Sequence, residues 1–184
     1  GSGYPNKRKK DSTKLAKLAL ANRFTRTVTR KMCENYAKIA LRSGVTTIRC
    51  VGGLGTYDTT IRDNTKLEVP RMLVSNRAIT TPGGHMDGSV AIAIDSAGEC
   101  MDAFDLITKE KVDLIKIMVT GGVMDATKRG EPGVVKMSDK YISLICSMAH
   151  KKGLKVAAHV ESTQGIEIAL RCGVDTIEHG AVVT

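Results

Sequence analysis

Apolar and polar positions change period several times along these 184 residues, and the changes mark the elements. From about Ser12 the spacing is helical, with Leu15, Leu18 and Ala19 on one face and Val28, Met32, Tyr36, Ile39 and Ala40 on another. Ser43-Gly44 ends that stretch, glycine standing where a helix C-terminus favours a left-handed residue. The β-branched run VTTIRCVGG (45–53) predicts a strand and its loop, residues 58–68 a short polar helix, and 70–75 a second strand. A Gly/Pro-rich loop over 79–88 follows, then a helix over 96–111 with Cys100, Ala103, Phe104 and Ile107 on one side. DLIKIMVTGG (113–122) predicts a third strand, apolar except for its lysine, and leads into a long loop over 121–135. Ser138 opens a helix whose apolar positions are Ile142, Ile145 and Met148 and which Gly153 closes. KVAAHV (155–160) is a fourth strand. Ser162 caps the next helix, Ile166, Ala169 and Leu170 face inward, and Gly173 stops it before a fifth strand, VDTIEH (174–179).

Strand–helix alternation with near-continuous apolar strands predicts an α/β chain, a parallel sheet covered by helices. Residues 44–184 supply five strands at about 28 residues per unit. A complete (β/α) barrel of eight units takes roughly 250 residues, so the repeat length suits a barrel of which this chain holds about five strands.

Three side chains stand near the C-terminal ends of successive apolar strands, where a barrel gathers its functional groups: Lys116, His159 and His179. A lysine inside LIKIMV is costly to bury as an ammonium, and desolvation favours the neutral amine. That amine can take up carbon dioxide to give a carbamate whose oxygens bridge cations, or it can pair with a carboxylate at the sheet edge. Each histidine alone reads as a satisfied core residue. Together with the lysine they read as ligands for a divalent, zinc-type ion. Glu161 and Glu178 flank the histidines, and strand alternation points them elsewhere unless they act as partners of the ligands. His85, in TPGGHMDG, stands on a loop whose glycines allow close approach to a ligand, and it reads as a substrate contact or as an exposed histidine without a role. Backbone N–H groups of Thr120-Gly121-Gly122 are candidates to line the pocket mouth. His150 reads as favourable charge near a helix C-terminus.

Charge changes one part of the picture. The net charge of +9 is concentrated: residues 1–42 hold 12 Lys and Arg against 2 acidic residues, and the other 142 hold 16 against 17. The segment reads as a solvated helical face or as a nucleic-acid arm; only two aromatics of its helical part, Phe24 and Tyr36, speak for the arm. Residues 1–11 read as a tag remnant or basic leader and 12–184 as the barrel domain. Five cysteines, odd in number, widely spaced and without a CxxC pair, read as free thiols in a cytoplasmic protein. No run of about 18 apolar residues is present.

The order GVTTIRCVGG, LVSNRAITTPGGHMDG, DLIKIMVTGGV, KVAAHV and GVDTIEHG resembles the metal-dependent amidohydrolase superfamily, in its branch of imidazolonepropionase-related and prolidase-like Xaa-Pro dipeptidases and carboxypeptidases. The resemblance implies a TIM-type (β/α)8 barrel of which this chain carries about strands 2–6 with their helices. It implies a carboxylated, metal-bridging Lys116, metal ligands in His159 and His179, a substrate contact in His85, and one or two divalent ions, zinc being expected. No HxH pair occurs in the chain, the strand-8 aspartate expected as general base has no counterpart, and Cys50 stands where relatives often carry Asp. The implied activity is hydrolysis of amide or peptide-type C–N bonds by an internal fragment of such an enzyme, on a dipeptide or N-acyl amino acid. The alternative is a catalytically silent partial barrel acting as a folding or assembly unit with another copy or a complementary chain.

Overall fold

The computed structural model describes residues 12–123, 126 and 130–180, the side chains of Ser12, Thr13 and Leu15 excepted. Residues 1–11, expected as a tag remnant or leader, lie outside the described residues.

Two helices open the described chain, α1 (Ser12–Leu20) and α2 (Arg23–Arg42), where the spacing predicted one continuous stretch. The break has a local cause. Asn22 takes an extended backbone and caps α2, its side chain accepting from Thr25 N at 2.9 Å while Asn22 N donates to Thr25 Oγ1 at 3.2 Å. Only Ala37 of α2 is buried. The predicted apolar face, Val28, Met32, Tyr36 and Ile39, is 42–64 % exposed. Amphipathic spacing identified the helix correctly, but not a neighbour to cover it.

The strands that follow are all parallel. β1 (Thr47–Cys50) pairs with β2 (Arg71–Val74), and a five-stranded sheet runs in the order β4 (Ala91–Ala93), β3 (Ala78–Thr80), β5 (Leu114–Met118), β6 (Lys155–Val160), β7 (Thr176–His179). Helices α3 (Tyr57–Arg62), α4 (Ala97–Lys109), α5 (Asp139–Lys151) and α6 (Thr163–Arg171) connect them. The 58–68 helix is thus shorter than its polar pattern suggested. β3 lies at the edge of the expected Gly/Pro loop: residues 71–80 run as one strand course interrupted at Asn76. Asn76 is left-handed (φ 52°), a conformation asparagine tolerates better than most residues. Its buried amide donates to Thr59 Oγ1 at 3.1 Å and Glu110 Oε2 at 2.8 Å, which fixes the kink.

Pleating sends alternate residues to opposite faces of the sheet. Ile79, Ile115, Ile117, Val156, Ala158 and Val160 face outward and form one core with Phe104 and Ile107 of α4, Ile142 and Ile145 of α5 and Ala169 of α6. Burying each large aliphatic side chain contributes about 1.5–3 kcal/mol, so this layer carries most of the sheet's stability. Ala78, Thr80, Lys116, Met118, Ala157 and His159 occupy the other face, which lines the barrel lumen.

The helix signals act as their chemistry requires, with one exception. Ser96 accepts from Glu99 N at 3.1 Å and Ser162 from Gly165 N at 3.2 Å. Ser138 occupies the N-cap of α5 in extended backbone, yet its side chain makes no capping bond.

Two aspartates repeat one device at the N-terminal ends of strands. Asp113 accepts from Val74 N (2.9 Å) and donates its own N–H to Val74 O (2.8 Å). Asp175 does the same with Val156, at 2.8 and 3.0 Å. Each clips a strand to its neighbour opposite the functional end.

Candidate metal centre

Lys116 of β5 and His159 of β6 point into the lumen because their strands are in register. Lys116 pairs with Ala157, and His159 stands one pleat further along the same face, beside Met118. Both side chains are about 2 % exposed. Burial depresses the Lys116 ammonium to about 8, Glu178 opposing that shift and Arg49 adding to it. Its Nζ has no hydrogen-bond partner.

Burial likewise takes the His159 imidazole down to about 4, against the Gly121 carbonyl and with help from His85, Lys116 and His179. The ring is neutral near pH 7. Its Nε2 lies 2.8 Å from Gly121 O. A carbonyl only accepts, so Nε2 carries the proton and Nδ1 presents a lone pair. Nδ1 is buried and without a partner. A carbonyl of the TGG turn orients the histidine, while the Gly121 N–H, expected among the pocket-lining donors, bonds Val134 O at 3.0 Å. Glu161 Oε1, 3.8 Å from Nε2, is too far for a hydrogen bond and faces a neutral ring.

His179 ends β7. In-register pairing sets Glu178, not His179, beside His159 on the lumen face, a reversal of the alternation expected from sequence. His179 is left-handed (φ 72°). A non-glycine residue in this region costs on the order of 1–3 kcal/mol, and such outliers collect at functional sites. Its ring meets His159 edge-on, with centroids 4.9 Å apart. His85 also stacks on His159, with centroids 4.2 Å and ring planes 24° apart. Gly122 makes that stack possible: a Cβ there would lie 2.1 Å from His85 Nδ1. The structure therefore gathers His85, His159 and His179 around one lysine-bearing lumen. His150 lies elsewhere, 2.8 Å from Asp175 Oδ2.

Two lumen residues escaped the sequence reading. Arg49 of β1 reaches across to β7, donating to Thr176 Oγ1 at 2.9 Å and Glu178 Oε1 at 2.7 Å. Strand parity was the available signal: Ile48 and Cys50 pack on the helix side, so Arg49 between them faces the lumen. Thr80 Oγ1, on the Lys116 face, is the third buried lumen atom without a partner. Cys50, expected from the resemblance to stand in place of an Asp, packs against α2 and α3. Burial, then Asp58 and Cys33, push its thiol up to about 11.

Among the described residues no three His, Cys, Asp or Glu side chains form a ready cation cage. Of the residues expected as ligands, neutral His159 presents a bare, buried Nδ1 that fits a cation as it stands.

Comparison with known proteins agrees with this architecture. An ochratoxinase of Aspergillus niger is 25 % identical over 165 residues, covering 76 % of this chain and 34 % of that protein. A solved amidohydrolase superposes with a TM-score of 0.78 at 29 % identity, covering 92 % of this chain and 44 % of that one. A Xaa-Pro dipeptidase solved with methionine in its active site gives 0.75 at 28 %, covering 86 % and 42 %. The chain spans about a third of the curated relative and about two fifths of these solved structures. Its strand–helix units are part of a TIM-type barrel. The model of the Amidohydrolase family matches residues 14–184, and the chain belongs to that family.

Proposed function

We propose that this chain carries part of the metal centre of a hydrolase that cleaves amide or peptide-type C–N bonds. The observation that supports this most directly is the pair of bare nitrogens on one lumen face, His159 Nδ1 and Lys116 Nζ. An unsatisfied buried polar group costs roughly 1–3 kcal/mol, and ligation or carboxylation would offset that cost. His159 would ligate through Nδ1 with its ring held by the Gly121 carbonyl, and His179 would supply a second imidazole. The neutral Lys116 amine adds its nitrogen lone pair to the carbon of carbon dioxide and releases one proton, leaving a carbamate with two ligating oxygens. One or two divalent ions, zinc being expected, supply a Lewis acid and acidify a bound water when present. His85, stacked beside His159, would contact a substrate carbonyl or carboxylate. The acid/base that protonates the leaving amine is not assigned to a residue of this chain. Dipeptides and N-acyl amino acids are the substrate class suggested by likeness to the Xaa-Pro dipeptidase.

Carbon-13 NMR of the chain in labelled bicarbonate with zinc tests the lysine. A carbamate signal in wild type that vanishes in Lys116→Met is expected. Its absence from wild type, or its persistence in the variant, would end this assignment.

One observation favours a second reading, a silent partial barrel that assembles with further chain. The apolar stripe of α2 is open to solvent. Sedimentation of the purified chain separates the two: association without zinc uptake supports the silent unit, and a zinc-loaded species supports the metal centre.

A further inference from the structure

We infer that Arg49 is a positioning residue that holds the end of β7 so that the His179 ring faces His159. β1 and β7 belong to different sheets and share no backbone pairing. Arg49 nonetheless reaches β7 through both terminal guanidinium nitrogens, Nη1 to Thr176 Oγ1 at 2.9 Å and Nη2 to Glu178 Oε1 at 2.7 Å. Thr176 Oγ1 donates to the same Glu178 oxygen at 3.0 Å, closing a triangle. Thr176 and Glu178 are two apart on one strand, the spacing of one pleat face, and the flat fork of arginine spans them as a lysine ammonium does not.

The consequence falls on the next residue. Glu178 is in register with His159, and His179 leaves the strand in a left-handed conformation before Gly180. A strained residue at a strand end keeps that conformation only when its neighbours are held. The outer side of β7 is packed through Ile177, while its lumen side is held by the Arg49 fork. Without the fork, Glu178 loses its ion pair, and the strand end, still tied to β6 by Gly180 N to Val160 O at 3.1 Å, can relax about His179 toward extended backbone. That relaxation carries the His179 ring away from the lumen.

The experiment follows histidine ring protons in the metal-free full chain by long-range proton–nitrogen NMR, with zinc affinity from chelator competition and thermal unfolding as companions. Arg49→Met, Arg49→Lys and Thr176→Val are compared with wild type. In Arg49→Met the mutual ring-current shifts of His159 and His179 should collapse while those of His85 on His159 persist. Zinc affinity should fall about 10–100-fold, and Arg49→Lys, which keeps one bond, should recover part of both. Unchanged ring shifts in Arg49→Met would overturn the inference. So would losses that track lowered unfolding temperature alone and that lysine does not restore, because these mark a strut. The affinity arm rests on the metal reading and the ring-proton arm does not. A wild type that binds no zinc ends the former and leaves the latter to decide on Arg49. If Arg49→Met fails to fold, Thr176→Val, which removes one arm of the fork, decides by the same shifts.

Discussion

Asp175→Ala removes the clip between β6 and β7 at the end of the sheet remote from the lumen. In the wild type, Asp175 Oδ2 accepts from Val156 N and from His150 Nε2, both at 2.8 Å, and Oδ1 accepts from Lys155 Nζ at 2.7 Å. Burial raises this carboxyl, but the bonds from Lys155, Val156 N and His150 together outweigh it and take the carboxyl down to about 2. Against an ordinary value of 3.8, that is a stabilisation near neutrality which solvent screening of this exposed residue reduces to about 1–2 kcal/mol. A structural count agrees. Val156 is fully buried, and its unpaired N–H costs roughly 1–3 kcal/mol, while the exposed Lys155 pair adds under about 1 kcal/mol. Asp175→Ala should therefore lose about 1–3 kcal/mol at pH 7, and Asp175→Asn, which keeps one acceptor for Val156 N, should lose less. The sign in pH follows from the depressed value. The stabilisation is full above about pH 4, and it fades as pH falls toward 2, so wild type and alanine variant converge in acid. Urea unfolding of the full chain between pH 3 and 7 measures the gap. A loss below about 0.5 kcal/mol at pH 7, or a gap that does not narrow in acid, would refute the reasoning.

Other expectations follow from the same geometry. Lys116→Met should stabilise the metal-free chain below pH 8 by an order of 1–3 kcal/mol, because it removes a buried amine without a partner. Since the folded-state value is about 8 against 10.5, wild-type stability should rise with pH across that interval, and the rise should be missing from Lys116→Met in pH-resolved unfolding. Gly122→Ala puts a methyl group inside van der Waals contact with three atoms of the His85 ring; that ring should swing off His159 with little loss of stability, read from the ring-current shift of His159. The Cys100 and Cys146 thiols, buried and raised to about 11 and about 12, should resist alkylation at pH 8 in the folded chain and react once it is unfolded.

The sheet was legible wherever a run of β-branched and aliphatic residues met a helix-capping serine or a terminating glycine. Residues 113–118, 155–160 and 174–179 and the helices between them follow that pattern. β3 was hidden because three residues, Ala78–Thr80, carry almost no periodicity, and the kink that separates them from β2 depends on Asn76 meeting Thr59 and Glu110 in the fold. The exposure of α2 was equally unreadable, since spacing reports that a helix has an apolar face and not what covers it. At the site, Lys116 and His159 were visible as polar residues in apolar strands. His179 was visible as a ligand type, but strand parity alone would put Glu178 in its place. Its left-handed backbone and the Arg49 fork arise from contacts between strands more than 120 residues apart in sequence.

The most direct test of the central claim is the zinc content of the purified chain after reconstitution with zinc and bicarbonate, compared across His159→Ala, His179→Ala and His150→Ala. The proposed metal centre predicts bound zinc in wild type and in His150→Ala, and strong loss in the other two. Equal zinc in all four, or none in wild type, would contradict it.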